Sequence, residues 1–197
     1  MEIHRYLVVE DNPLHMEDAK TVLSTWSDEG RRFDFFDDFG SASNALSQVS
    51  RGDAECVGLI TDVHMSRSIK GGDKLGGHDQ PNGLILASMA LDIGIPVMLC
   101  TSGWHHAHHM EWLIRTVKMI SGVILGHLLD MKDSLRAPIS MVYSEPDAGG
   151  VAKGTDMETW MNDERAHPKP WWNAYTGLAV LRGIWNSQQT DKDSAPR

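Results

Sequence analysis

Cysteine is scarce in this sequence: Cys56 and Cys100 are the only two in 197 residues. Two thiols make neither a disulfide framework nor a cysteine-based metal motif, and they fit a reducing compartment. Long hydrophobic runs are absent. Ile95 to Cys100 is among the longest apolar stretches, far short of the roughly 20 residues a spanning helix needs. The chain begins MEIHRYLVVEDN, with an acid at position 2. It lacks the basic start and long apolar stretch of a secretory signal, so a cytoplasmic protein is expected. Basic charge is also short, with 18 Lys and Arg against 27 Asp and Glu for a net charge of −9. Phosphate contacts need clustered Lys and Arg, so nucleic acid is excluded as a general partner, and no membrane partner is expected. There is no internal repeat and no low-complexity linker. What remains is 41% hydrophobic and 23% charged residues, the material of one core and one domain.

Short apolar runs alternate with helical periodicity. Tyr6 to Glu10 (YLVVE) reads as a buried strand ending at Asp11-Asn12-Pro13. Asn12 can cap a helix and Pro13 suits its first turn. Leu14, Ala19, Val22, Leu23 and Trp26 then recur at helical spacing, before Gly30. Phe33 to Phe39 reads as a second strand, broken by Gly40-Ser41. Ala42, Ala45, Leu46 and Val49 mark a short amphipathic helix. Val57 to Thr61 is a third strand, ending at Asp62. Leu84 to Leu91 is helical and closes at Gly94. Ile95 to Cys100 is a fourth strand, ending at Thr101-Ser102-Gly103. A helix follows from about His105 to Ile120, more helix is favoured over Ser121 to Arg136, and Pro138 to Tyr143 is the fifth strand candidate. Trp171 to Trp185 is a final helix, with Trp171, Tyr175, Leu178, Leu181 and Trp185 on one face. Repeated strand–helix alternation with continuous apolar strands predicts an α/β fold: a doubly wound five-stranded parallel sheet with helices on both faces. The expected organisation is a single domain over 1–185 with insertions at about 65–82 and 144–168. The polar tail, 186–197, is expected to be disordered.

In such sheets the working groups lie beyond the carboxyl ends of the strands. Strand one delivers Glu10 and Asp11, strand three Asp62, and strand four Thr101 and Ser102. Acids brought together repel and resist ionisation unless a cation neutralises them. Oxygen-only ligands suit Mg²⁺. A carboxylate beside Mg²⁺ is a plausible phosphoryl acceptor, with a nearby hydroxyl to bind a phosphate oxygen.

These residues resemble the receiver domain of bacterial two-component response regulators. The resemblance is carried by VVEDN (Val8 to Asn12), FDFFDDFGSASNAL (Phe33 to Leu46), LITDVHM (Leu59 to Met65), NGLILA (Asn82 to Ala87) and IPVMLCTS (Ile95 to Ser102), and it covers about the first half of the chain. Any one motif is weak; the ordered set is fairly specific. The resemblance implies a flavodoxin-like fold and a regulatory phosphoacceptor, not an enzyme. Glu10 and Asp11 would hold Mg²⁺ with Asp62, and the main-chain carbonyl of His64 would be a further ligand. Asp62 would accept phosphate from a histidine kinase or phosphotransfer protein. Thr101 would sense it and reshape the surface around the 105–120 helix and strand five. Output would run through contact with a downstream protein target, as in stand-alone receivers.

The chain departs from that pattern in two places. Met65 is followed by Ser66 and a long insertion where receivers carry Met-Pro. The candidate fifth strand ends in YSEP, so Glu145 stands before Pro146 where the family has a lysine that pairs with phosphate. A carboxylate there would repel phosphate. Three outcomes follow: strand five lies elsewhere, a lysine such as Lys153 or Lys169 substitutes, or phosphorylation is lost. Both insertions leave from carboxyl ends of strands, so they are expected on the active face, as a lid or docking surface or as mobile decoration.

Two further function classes stay open. A phosphorylation-independent pseudo-receiver would act as a binding module, with Glu145 as its support. A metal-dependent hydrolase would use His105, His106, His108 and His109, where His105 and His109 lie one helical turn apart. A solvent-facing histidine cluster is the plainer reading, since no HExxH-type spacing supports a metal site. Lys70 and Lys74 sit in GGDKLGG, which lacks the Gly-Lys-Ser/Thr ending of a phosphate loop. Trp171 and Trp172 cannot both face inward. Cys56 and Cys100, near opposite ends of parallel strands, should be too far apart to bridge.

Overall fold

The structure is a computed structural model, and it describes residues 3–27, 30–63, 65, 81–102, 137–144 and 169–193. Its strands are β1 (His4–Val9), β2 (Arg31–Phe36), β3 (Gly58–Thr61), β4 (Val97–Ser102) and β5 (Ile139–Ser144). Its helices are α1 (Pro13–Ser24), α2 (Phe39–Ser50), α3 (Asn82–Asp92) and α4 (Trp171–Asp193). The strands form one sheet in the order β2-β1-β3-β4-β5, and every pairing is parallel. This is a flavodoxin-like α/β fold, as the alternation of periods predicts.

The apolar runs are continuous because the sheet is covered on both faces. Leu7, Val9, Leu59, Val97 and Leu99 pack with α2 and α3 through Ala42, Leu46, Leu86 and Ala90. The intervening residues Tyr6, Val8, Ile60, Met98 and Cys100 pack with α1 and α4 through Ala19, Leu23, Trp171, Ala174, Tyr175 and Leu178. Alternation of side chains along each strand thus sorts one sequence into two cores. Arg182 of α4 ties the second core at its far end, donating to the Tyr6 hydroxyl at 3.3 Å and lying 3.0 Å from His4 Nδ1.

Several boundaries move from the sequence reading, each for a local reason. β2 ends at Phe36, and Phe39 opens α2 instead of closing the strand, because the Asp38 side chain accepts from the Ser41 N–H at 2.8 Å and caps the helix. At α1, Asn12 caps as expected, its side chain accepting from the Leu14 N–H at 2.9 Å with Pro13 in the first turn. Leu14 is exposed and Met16 buried, so the apolar face is rotated from the one expected. β4 runs through Ser102, which puts Thr101 and Ser102 inside the strand. The last helix extends through Asp193, past Trp185. Trp171 is buried and Trp172 exposed, where it stacks on Trp26 with ring centroids 4.4 Å apart. Both cysteines are free thiols.

The fold places a topological switch between β1 and β3. After β2 the chain crosses back over β1, so the crossovers leaving the carboxyl ends of β1 and β3 diverge and open a crevice there. Val9 pairs with Thr61, so the residues that follow them, Glu10 and Asp62, lie at one level. No described helix is long and apolar enough to cross a membrane.

Candidate functional site

Main-chain bonds fix the two strand ends. The Glu10 N–H donates to the Phe36 carbonyl and the Asp62 N–H to the Val9 carbonyl, both at 3.0 Å. The loop after β3 is clamped by the start of α3. The Asn82 side-chain amide donates to the Met65 carbonyl at 3.0 Å, and the Gly83 N–H to the Val63 carbonyl at 3.1 Å. Gly83 is needed for closeness: a Cβ built on it would lie 1.7 Å from the Asp62 carbonyl oxygen. The NG of NGLILA is therefore a packing device that seats the segment carrying Asp62.

The carboxylates of Glu10, Asp11 and Asp62 converge, each offering an oxygen within 4.8 Å of the others. Glu10 is fully buried and Asp62 8% exposed. The side chain of Lys169, two residues before α4, reaches into this cluster. Its Nζ donates to Asp62 Oδ2 at 2.9 Å and to Glu10 Oε2. Asp62 Oδ1 accepts from the Val63 N–H at 2.7 Å, and Glu10 Oε1 from the Asn12 N–H at 3.0 Å. Thr101, buried on β4, stands two residues beyond Leu99, the partner of Thr61.

Charge in this setting is unevenly balanced. Burial pushes Glu10 up to about 8, with Asp62 adding to the rise and Lys169 and the Asn12 N–H opposing it. Burial alone would push Lys169 down; the Asp62 and Glu10 carboxylates outweigh it and hold its ammonium above its ordinary range. Cys100, fully enclosed behind the site, is raised by burial and stays a thiol. Three carboxyl groups face one ammonium, and even with Glu10 holding its proton, Asp11 and Asp62 outnumber Lys169. That donor set, all oxygen and over-acidic, fits a small hard divalent cation such as Mg²⁺.

The structure thus brings together Glu10, Asp11 and Asp62 as the sequence reading expected, with Thr101 on the neighbouring strand. Of the two lysines offered as substitutes for the missing one after strand five, Lys169 is in the site; Lys153 lies outside the described residues. β5 ends at Ser144, as YSEP requires, and the lysine arrives after the 145–168 stretch. A signal was present: Lys169 is followed by Pro170, a Lys-Pro pair just before the last helix. His64, Glu145, the cluster at 105–109, Lys70, Lys74 and both insertions between 66–80 and 145–168 lie outside the described residues, so the His64 carbonyl, lid and histidine-metal readings carry no structural statement.

Fold and site together define a class: a flavodoxin-like α/β protein with an acidic, lysine-bridged crevice at its switch point. No protein-family model, curated protein or solved structure matches the chain.

Proposed function

We propose that the chain is a response-regulator receiver that accepts a phosphoryl group on Asp62 and signals through protein–protein contacts. One observation carries the reading: Asp62, at the end of a central strand, has Lys169 Nζ 2.9 Å from one carboxylate oxygen and the carboxylates of Glu10 and Asp11 gathered beside it. A phosphoryl acceptor needs a carboxylate nucleophile and positive charge for the transferring oxygens. Lys169 supplies one such charge, and the carboxylate cluster would hold Mg²⁺. When bound, Mg²⁺ would neutralise oxygens of the transferring group.

In the transfer, an Asp62 oxygen attacks phosphorus as the P–N bond of a donor phosphohistidine breaks, with the bonding electrons staying on the imidazole. The donor is a histidine kinase or phosphotransfer protein. Lys169 then pairs with the phosphoryl oxygens, and the Thr101 hydroxyl donates to one of them. That contact biases a pre-existing equilibrium between two surfaces, one of which binds the downstream target. The pseudo-receiver reading rests on Glu145 standing where a lysine is expected; what favours the phosphoacceptor over it is Lys169 Nζ, 2.9 Å from Asp62 Oδ2.

The test is intact-mass measurement after incubation with Mg²⁺ and a small acyl phosphate. The expected result is a gain of one phosphoryl group in the wild type and none in Asp62→Asn. Uptake that persists in Asp62→Asn, or a folded wild type that takes up none, overturns the reading.

A further inference from the structure

The amino ends of β1 and β2 carry a second cluster of polar side chains, at the pole of the sheet opposite the crevice. His4 and Arg31 are partners in the strand register, and α4 covers both. Arg182 of α4 donates from Nη1 to the Tyr6 hydroxyl at 3.3 Å, and its Nη2 lies 3.0 Å from His4 Nδ1 and 3.3 Å from Nε2. Arg31 Nη1 donates to the Tyr175 hydroxyl at 3.0 Å. The two tyrosine rings meet edge to face, with centroids 5.6 Å apart. Three elements thus gather two guanidiniums, an imidazole and two phenols. Burial pushes the Tyr6 hydroxyl up, and Arg182 and Arg31 both act against that rise. The neighbouring arginines are balanced differently. Arg5 and Arg32 pair with Asp34, and Arg51 pairs with Asp53. Arg182 has no carboxylate partner among the described residues; it faces a phenol and an imidazole. A guanidinium has five N–H donors, and no described acceptor meets Nε of this one. A half-buried cation without a counter-charge carries a desolvation cost that an anion would offset.

From this geometry we propose that Arg182, His4, Arg31 and the hydroxyls of Tyr6 and Tyr175 form an anion site that takes a phosphate group, as free phosphate or as a phosphate ester. The guanidinium supplies N–H donors in a planar fork. Each phenol accepts from an arginine and keeps its own hydrogen to donate. Donors arriving from a fork, an imidazole and two phenols surround an oxyanion from several directions, which suits a tetrahedral phosphate better than a planar carboxylate. The site is distinct from the crevice, where the carboxylates of Glu10, Asp11 and Asp62 oppose an anion in the absence of a divalent cation. It stands independently of the receiver reading. Arg182 lies on the helix that Lys169 leads into, so a bound anion would also fasten that helix to the sheet.

The experiment uses the full chain without divalent cations, at fixed ionic strength. Calorimetric titration with inorganic phosphate should show one site in the wild type, weakened about tenfold or more in Arg182→Gln. Acetate should bind the wild type about tenfold more weakly than phosphate, or worse. Titration with ribose 5-phosphate separates the two sources: tighter binding than inorganic phosphate assigns an ester, and equal or weaker binding assigns free phosphate. Hydrogen exchange read by peptide mass locates the site. Adding phosphate should raise protection in peptides covering 3–6, 30–33 and 175–182 and leave those covering 10–12 and 61–63 unchanged. If Arg182→Gln does not fold, titration and exchange on the wild type decide. A wild type that binds no phosphate, protection confined to the crevice peptides, acetate binding as tightly as phosphate, or a folded Arg182→Gln that binds phosphate as tightly as the wild type overturns the proposal.

Discussion

At the residue scale the informative group is Glu10, because two opposing effects act on one carboxylate. Burial raises it to about 8, and Lys169 pulls the other way. A carboxyl whose folded value lies above its unfolded value near 4.5 binds its proton more tightly when folded. Its contribution to stability is then full below pH about 4.5 and is lost as the pH rises towards 8, by roughly 1.4 kcal/mol per unit at most. Glutamine at this position cannot titrate and keeps an acceptor for Lys169. In urea unfolding without divalent cations, wild type and Glu10→Gln should therefore be closest at low pH. The balance should move in favour of glutamine between pH 4.5 and 8. Movement in favour of the wild type would mean that the ion pair with Lys169 outweighs the cost of burial. The acids were legible in the sequence because each directly follows or closely trails a short apolar run. Lys169 was half legible: it could be offered beside Lys153, but only the docking of α4 brings it to Asp62 and Glu10. A residue placed by the packing of a distant helix has no local periodicity to announce it.

At the element scale, two glycines on helices behave in opposite ways. Gly83 opens α3 with its α-carbon against the main chain of Asp62, and an added methyl would meet the Asp62 oxygen at 1.7 Å. Backbone cannot swing aside as a side-chain tip can, so Gly83→Ala must push α3 away from the β3 loop. A loss of about 2 kcal/mol or more in chemical unfolding is expected, with weakened Mg²⁺ binding because Asp62 is carried by the displaced segment. Gly183 lies in α4 with nothing within 4 Å of an added methyl. Alanine there should raise stability by up to about 1 kcal/mol, measured in the same assay. Equal effects at the two positions would contradict the close packing of α3 on Asp62. The strands and helices themselves were largely readable from period and length. The errors fell at ends, where capping decides: Asp38 turns Phe39 from a strand residue into the first residue of a helix. Which of Trp171 and Trp172 faces inward was open in the sequence, since adjacent helical positions differ only by what the helix packs on. The α4 interface with Tyr6 and Met98 settles it.

At the scale of the whole molecule, the site joins parts of the chain that are far apart. Glu10 and Asp11 follow β1, Asp62 follows β3, and Lys169 precedes α4, which covers one face of the sheet. The unfolded chain does not hold these groups together, so a cation that bridges the carboxylates binds the folded state alone. Binding free energy is then added directly to folding free energy, about 2.7 kcal/mol at a hundredfold excess over Kd. Thermal unfolding of the wild type should therefore shift upward with rising Mg²⁺ and continue to shift logarithmically after the site is nearly full. Asp11→Asn should unfold normally without Mg²⁺, because Asp11 is the least buried of the three acids, and should respond far less to the cation. Lys169→Met removes the ammonium that offsets Asp62 and Glu10, leaving two buried carboxylates facing each other. Such a loss costs about 3–5 kcal/mol when nothing compensates it. Mg²⁺ should recover part of it, so the variant ought to show a larger Mg²⁺-dependent rise in melting temperature than the wild type. A rise equal to or smaller than the wild type's would mean that the cation and the lysine do not share the same carboxylate charge, and the crevice would have to be assigned to the ion pair alone.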